Sequence, residues 1–301
     1  MKKLKAIWEL MRLGHGVMLF LAILIGSLIA QKTLYGNLDL PLLNIVLTFF
    51  TALFLEASTF ALNDYYDLEI DRINKRTDRP LIRGDVSPQT ALIIFYLLFP
   101  LGLLCSFFVN MTCFLIALIT ALISVLYDVK LKKIKLIGNF YIAYIMAIPF
   151  VFGGATVLGN TTFSLETINP IIYIIALIAF LTGAGREIMK DVMDFEGDKI
   201  HGVKSFPRYI GLRASNGIAS VFYLIAIALS FFPYFSVGFG IYYKNISYFI
   251  LVFITDTMLL STCLQLIFKK QPNMTFHRKY TLAAIFIGLL AFLVGAFLGG
   301  G

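Results

Sequence analysis

Two groups of carboxylates in this 301-residue chain have the type and spacing to do chemistry. The first is Asp64, Asp67 and Asp71, preceded by Asn63, and the second is Asp191, Asp194 and Asp198. Both read D-x2-D-x3-D, and on a helix residues at i, i+3 and i+7 fall on one face. Three acids on one face repel each other and call for cations. Carboxylate oxygens are hard ligands, and Mg²⁺ favours a few carboxylates completed by phosphate oxygens and waters. Two such groups facing one another, with Lys and Arg between, describe a magnesium-bridged diphosphate site.

The elements that must carry these groups are membrane helices. The chain is 59% hydrophobic and only 14% charged, far from the roughly one-quarter charged content of soluble domains. Apolar stretches of spanning length fall at Leu13–Ala30, Pro41–Leu62, Thr90–Val109, Met111–Tyr127, Gly138–Leu158, Ile168–Thr182, Ser215–Phe232, Ser247–Phe268 and Thr281–Leu298. The expected fold is therefore all-α: one polytopic membrane domain over 1–301 with nine transmembrane helices.

Charge tests that topology independently. With the amino terminus in the cytoplasm, Lys and Arg number four in residues 1–12, five in 63–89, four in 128–137, six in 186–213 and four in 269–279, together 23 of the 25. Only Lys32 and Lys244 fall outside, a strong positive-inside signal that puts the carboxyl terminus on the outer face. Because the bases follow the loops, the net charge of +8 is not a nucleic-acid footprint. Positive-inside charge does not account for the acids: 11 of the 17 Asp and Glu lie in 63–89 and 186–213. Both carboxylate groups end a span at the cytoplasmic surface.

Further polar residues could serve such a site. Arg72, Arg79, Lys130 and Lys190 are candidate diphosphate partners, with Tyr127 at the end of the fourth span. Arg12 and His15 share a face one turn apart at the start of the first span, and Glu56 lies two turns below Asn63; these are candidates for the acceptor side. Asp256 is a lone intramembrane acid, by default an inward-facing residue. Phe232–Tyr243 reads as a re-entrant or interfacial connection. Cys105, Cys113 and Cys263 sit inside apolar spans with no metal-ligand spacing and read as buried small side chains. A P-loop, a dinucleotide fingerprint and a hydrolase triad are all missing from the sequence, so nucleotide and hydrolase chemistry lack support.

The pair N-D-x2-D-x3-D (Asn63 to Asp71) and D-x2-D-x3-D (Asp191 to Asp198), on the second and sixth of nine helices, resembles the UbiA superfamily of intramembrane prenyltransferases. The resemblance implies a central cavity capped by the cytoplasmic loops, with a lateral portal for the prenyl chain. It also implies two Mg²⁺ ions, held by Asp67, Asp71, Asp191, Asp194 and Asp198 with help from Asn63 and Asp64, around a prenyl diphosphate. Tyr127 and Lys130 are similar to the family's third cap motif.

The stretches at 131–154, 186–199 and 239–243 resemble its archaeal ether-lipid branch, the digeranylgeranylglyceryl phosphate synthases. That likeness implies transfer of a geranylgeranyl group from geranylgeranyl diphosphate to the hydroxyl of geranylgeranylglyceryl phosphate, a lipid acceptor. His15 stands where that branch often has Asn, as in relatives that prenylate aromatic acceptors, which keeps a quinone-type acceptor open. An ion-coupled transporter is the alternative from another class, but its carboxylates would be expected near the bilayer midplane.

Overall fold

A computed structural model describes residues 2–12, 16–73, 75–132, 134–159, 163–200, 203–270 and 272–299. The described chain is helical: α1 (Lys2–Met11), α2 (Gly16–Tyr35), α3 (Leu42–Tyr66), α4 (Leu68–Ile73), α5 (Pro80–Arg83), α6 (Pro88–Val109), α7 (Met111–Leu126), α8 (Lys135–Ala155), α9 (Pro170–Ile200), α10 (Phe206–Ile210), α11 (Leu212–Phe235), α12 (Ile246–Phe268) and α13 (Met274–Leu298). Among the described residues nine of these are long and apolar enough to cross a membrane, counting α7 together with the π-helical turn Tyr127–Leu131 that continues it. The protein is thus an all-α, multi-pass membrane protein.

Several spans run further than hydropathy alone indicates, among them the first, the sixth, and the ninth, which starts at Met274 rather than Thr281. The first continues from Ala30 to Tyr35 because its polar end is satisfied. Gln31 donates to Asn37 Oδ1 at 2.7 Å, and Lys32 Nζ donates to the carbonyls of Ala296 and Gly299. The sixth does not stop near Thr182: α9 is one 31-residue helix that carries its charges out past the apolar stretch.

The chain divides into two compact units. The first comprises residues 1–20, 40–131 and 155–167. Its frame is α3 packed along α6, where Gly102 lies so close to Leu55 that a Cβ would be 2.8 Å from the leucine Cγ. A single residue, Asn110, joins α6 to α7. Its side chain accepts from Cys113 N at 2.7 Å, capping α7, and donates to the Ala155 carbonyl at 2.8 Å. Short α1 lies on this frame with Ala6 and Leu10 buried against Ala61, Leu81, Val86 and Ala91. Leu4 and Trp8 are exposed on α1, the residue pattern of a helix lying in a membrane interface.

The second unit comprises residues 21–39, 132–154 and 168–301. Lipid tails are as apolar as leucine, so helices here are held by close packing and hydrogen bonds rather than by exclusion of water. At the α2/α8 crossing, a Cβ on Gly26 would collide with the Phe150 carbonyl and one on Gly153 with the Ile23 carbonyl. Ser27 Oγ closes the seam with a 2.9 Å bond to the Gly153 carbonyl. α9, α11, α12 and α13 share a core of Ile188, Met189, Ala219, Tyr223, Leu259, Leu266 and Ala284. Asp256 faces inward, as expected for a midspan acid, and accepts from Ser230 Oγ at 2.6 Å. The Phe232–Tyr243 segment ends α11, makes a 3-10 turn at Val237–Phe239 and buries Tyr242, whose hydroxyl donates to the Phe292 carbonyl at 2.8 Å.

Candidate functional site

The first motif straddles a helix joint. α3 ends at Tyr66 with Asp67 as its C-cap, yet the backbone stays right-handed there (φ −86°, ψ −3°). Asp67 N bonds to Asn63 O at 2.9 Å and Asp71 N to Asp67 O at 2.8 Å. The i→i−4 ladder therefore survives at both aspartates, and the motif keeps its helical phase into α4. Asp64 and Asp71 are buried, at 2% and 8% exposure, and Asp67 is half-buried.

Arginines from two directions meet these acids. Arg12 Nη2 donates to Asp64 Oδ1 at 2.6 Å, and Arg79 Nη1 donates to the same oxygen at 2.9 Å while its Nε lies 3.7 Å from Asp71 Oδ2. Arg12 reaches Asp64 from the end of α1 through a left-handed backbone (φ 49°), with its guanidinium 4.4 Å from the centre of the Phe60 ring. A non-glycine residue in that region costs of order 1 kcal/mol, less than the several kcal/mol lost when one member of a buried ion pair is removed. The contact to Asp64 therefore outweighs the strain. A second tie runs from α1 to the end of α5, where Arg83 pairs with Glu9. Between them, exposed Arg76 bonds Asp78 at 2.9 Å and holds that carboxyl below its usual range.

Asn63 does not point at its own motif. Its Nδ2 donates to Asp128 Oδ1 at 2.9 Å, and Asp128 is buried in the π-helical turn that follows α7. Such turns are frequent at functional sites. Tyr127 is half-buried in the same turn, while Lys130 and Arg72 are exposed. Glu56 is half-buried on α3 with Gly16 beside it, where a Cβ would lie 3.6 Å from Glu56 Oε2. His15 lies outside the described residues.

The second motif is built differently. Asp191 (3% exposed), Asp194 (exposed) and Asp198 (half-buried) lie on the uninterrupted helix α9. Lys135 Nζ, at the start of α8, is 2.6 Å from Asp198 Oδ2 and 3.6 Å from Asp191 Oδ1. Buried Asn139, one turn along α8, donates to Asp191 Oδ2 at 2.7 Å. Lys190 bonds Glu187 Oε2 at 2.7 Å, and Arg186 stands 3.5 Å from the other oxygen of Glu187.

Asp128, Lys135 and Asn139 are the site neighbours that sequence reasoning left without a role. Asn139 carried a readable signal, a polar side chain at the start of an apolar span. Lys135 was hidden among the positive-inside lysines, and Asp128 by the loop assignment of its turn.

The donor set suits a divalent cation. Both motifs present hard carboxylate oxygens, both already attract positive side chains, and Asp64 Oδ2 is buried with no hydrogen-bond partner among the described residues. Among those residues no three acidic, His or Cys side chains converge into a self-sufficient metal cage.

Comparison with known proteins gives this geometry its context. The chain is 39% identical over 295 residues to a digeranylgeranylglyceryl phosphate synthase of Archaeoglobus fulgidus, covering 98% of this chain and 96% of that one. A solved structure described as giving insight into digeranylgeranylglyceryl phosphate synthase in membranes is 35% identical, with a TM-score of 0.80 over 98% of this chain and 99% of the other. A UbiA homologue from Archaeoglobus fulgidus bound to DMAPP and Mg²⁺ shares the fold at a TM-score of 0.59 and 18% identity, covering 96% of this chain and 99% of that one. The model of the UbiA prenyltransferase family matches residues 19–290. With both aspartate motifs inside that match, the chain belongs to the UbiA prenyltransferase family.

Proposed function

We propose that this protein transfers a geranylgeranyl group from geranylgeranyl diphosphate to the free hydroxyl of geranylgeranylglyceryl phosphate, forming the second ether bond of an archaeal membrane lipid. The observation that carries this reading is the likeness to digeranylgeranylglyceryl phosphate synthases along nearly the whole chain. The two carboxylate motifs supply the chemistry it needs.

In this reading Asp67 and Asp71, with Asp191, Asp194 and Asp198, hold two Mg²⁺ ions, helped by Asn63 and Asp64. When bound, Mg²⁺ neutralises the diphosphate and makes it a better leaving group. Support comes from the carboxylate donor set and from the Mg²⁺ and DMAPP bound by the more distant UbiA homologue. Arg72, Arg79, Lys130 and Lys190, with the Tyr127 hydroxyl, meet the negative charge that grows as the C1–O bond of the prenyl diphosphate breaks. The allylic carbon is shielded from water by the aromatic side chains of the spans, and the acceptor oxygen bonds to it. Glu56 or His15 takes the hydroxyl proton, and Arg12 lies on the acceptor side. The amino terminus and the motif ends of the helices face the cytoplasm and the carboxyl terminus faces out, as the distribution of Lys and Arg supports.

The test is mass spectrometry of products from purified protein given Mg²⁺ and a mixture of prenyl diphosphates, with glyceryl-ether and aromatic acceptors in competition. The digeranylgeranyl ether lipid is the expected product. Prenylated aromatic product alone would overturn the acceptor assignment, and diphosphate release surviving Asp67→Ala and Asp198→Ala would overturn the metal site.

A further inference from the structure

The two units solve one electrostatic problem in the same way. In each motif the first and third carboxylates are drawn to a single basic side chain: Arg79 for Asp64 and Asp71, Lys135 for Asp191 and Asp198. Neither base belongs to its motif. Arg79 comes from the loop before α5, and Lys135 from the start of α8. In each motif a second polar group also fixes the first carboxylate, Arg12 on Asp64 and Asn139 on Asp191. The bridged acids are the more buried members of their sets, Asp64 at 2% and Asp191 at 3% exposure. Without a cation, like charges one or two turns apart on a helix repel, and buried ones repel more strongly because little water screens them.

We propose that Arg79 and Lys135 are resident counter-ions, which hold the first and third carboxylates of each motif in the metal-free protein and give up those oxygens to an arriving divalent cation. This rests on the metal reading given above; it adds Lys135 as a positioning residue and gives Arg79 a second role in the metal-free protein. Lys135 occupies Asp198 Oδ2 directly and competes by charge for Asp191 Oδ1, so the motif is kept folded and receptive at the expense of cation affinity. The diphosphate then provides a destination for the displaced ammonium, because it brings the negative charge that the carboxylates no longer offer.

Lys135 is the side to test, because its side chain is 30% exposed against 19% for Arg79. Mn²⁺ binding to the full chain in detergent, without prenyl diphosphate, is read by the electron paramagnetic resonance signal of the free ion. Lys135→Met is expected to bind Mn²⁺ about tenfold more tightly than the wild type, the order expected for one competing charged hydrogen bond. Its metal-free form should melt lower than the wild type, with the gap closing at saturating Mn²⁺. Lys135→Arg keeps the charge and should stay within about twofold of the wild type. If metal-free Lys135→Met does not stay folded, Lys135→Gln carries the same titration with a side chain that still hydrogen-bonds. Equal or weaker Mn²⁺ binding by a folded neutral variant would overturn the counter-ion role, as would Lys135→Arg binding as tightly as the neutral form. A wild type that binds no Mn²⁺ even with inorganic diphosphate added would instead overturn the metal reading itself, so the two failures are distinguishable.

Discussion

The two aspartate motifs share a sequence pattern but not a mounting. The first crosses from α3 to α4 through the cap residue Asp67, and the second sits within the single helix α9. The first is tied by arginines from the end of α1 and from the loop before α5, and the second by Lys135 and Asn139 of α8 and by the Phe206 backbone at the start of α10. One motif is therefore jointed, while the other is a continuous rod. The spacing D-x2-D-x3-D specifies which atoms share a face, and it leaves open how firmly that face is held.

The largest expected effect treats the motifs as equals. Asp67→Ala and Asp198→Ala should each lower diphosphate release by roughly 10²–10³-fold, the scale for losing one preorganised electrostatic contact at a reacting centre. A strong effect at only one of them would break the symmetry of the two motifs. The next exploits their difference. Asp64→Ala takes the carboxylate from Arg12 and leaves Arg79 with Asp71 alone, and should destabilise the detergent-solubilised protein by about 3–5 kcal/mol. Asn139→Leu removes one bond to Asp191 and should cost about 1.5–3 kcal/mol, both read by thermal unfolding. Equal losses would mean that the paired arginines hold Asp64 no more firmly than Asn139 holds Asp191. Hydrogen exchange sharpens the joint: amides of 68–73 should exchange faster than those of 191–198 in metal-free protein. The smallest effect is expected between the motifs' partners, at the exposed Arg76–Asp78 pair, where Arg76→Ala should move stability by no more than about 0.5 kcal/mol.

Most of the fold was legible because a bilayer imposes few solutions. Hydropathy located nine spans, and the phase of Asp64, Asp67 and Asp71 holds in the structure because the helical ladder passes through Asp67. Span ends were less legible, for identifiable reasons. Lys32 reads as a stop, yet it finds carbonyls at the end of α13, and the sixth apolar stretch ends near Thr182 although its helix runs on to Ile200. The carboxylates were visible because they are anomalous in such a chain. Their partners were not: Lys135 looks like any positive-inside lysine, and Asn63 looks like part of its own motif until it is found bonded to Asp128. A pairing across 65 residues has no local signature.

The unbroken length of α9 has a mechanical side. At about 1.5 Å per residue, its 31 residues make a rod of roughly 46 Å, against a hydrocarbon core of about 30 Å. Its apolar part, residues 170–185, covers only about 24 Å of that core, so the bilayer thins around it or the span shifts as membrane thickness changes. Because Asp191, Asp194 and Asp198 sit on the same rod as the span, any such shift moves all three together, with no joint to absorb it. The first motif has such a joint at Asp67. Bilayer thickness is thus a variable that only one of the two motifs feels in full, and acyl-chain length in reconstituted vesicles is the means to vary it.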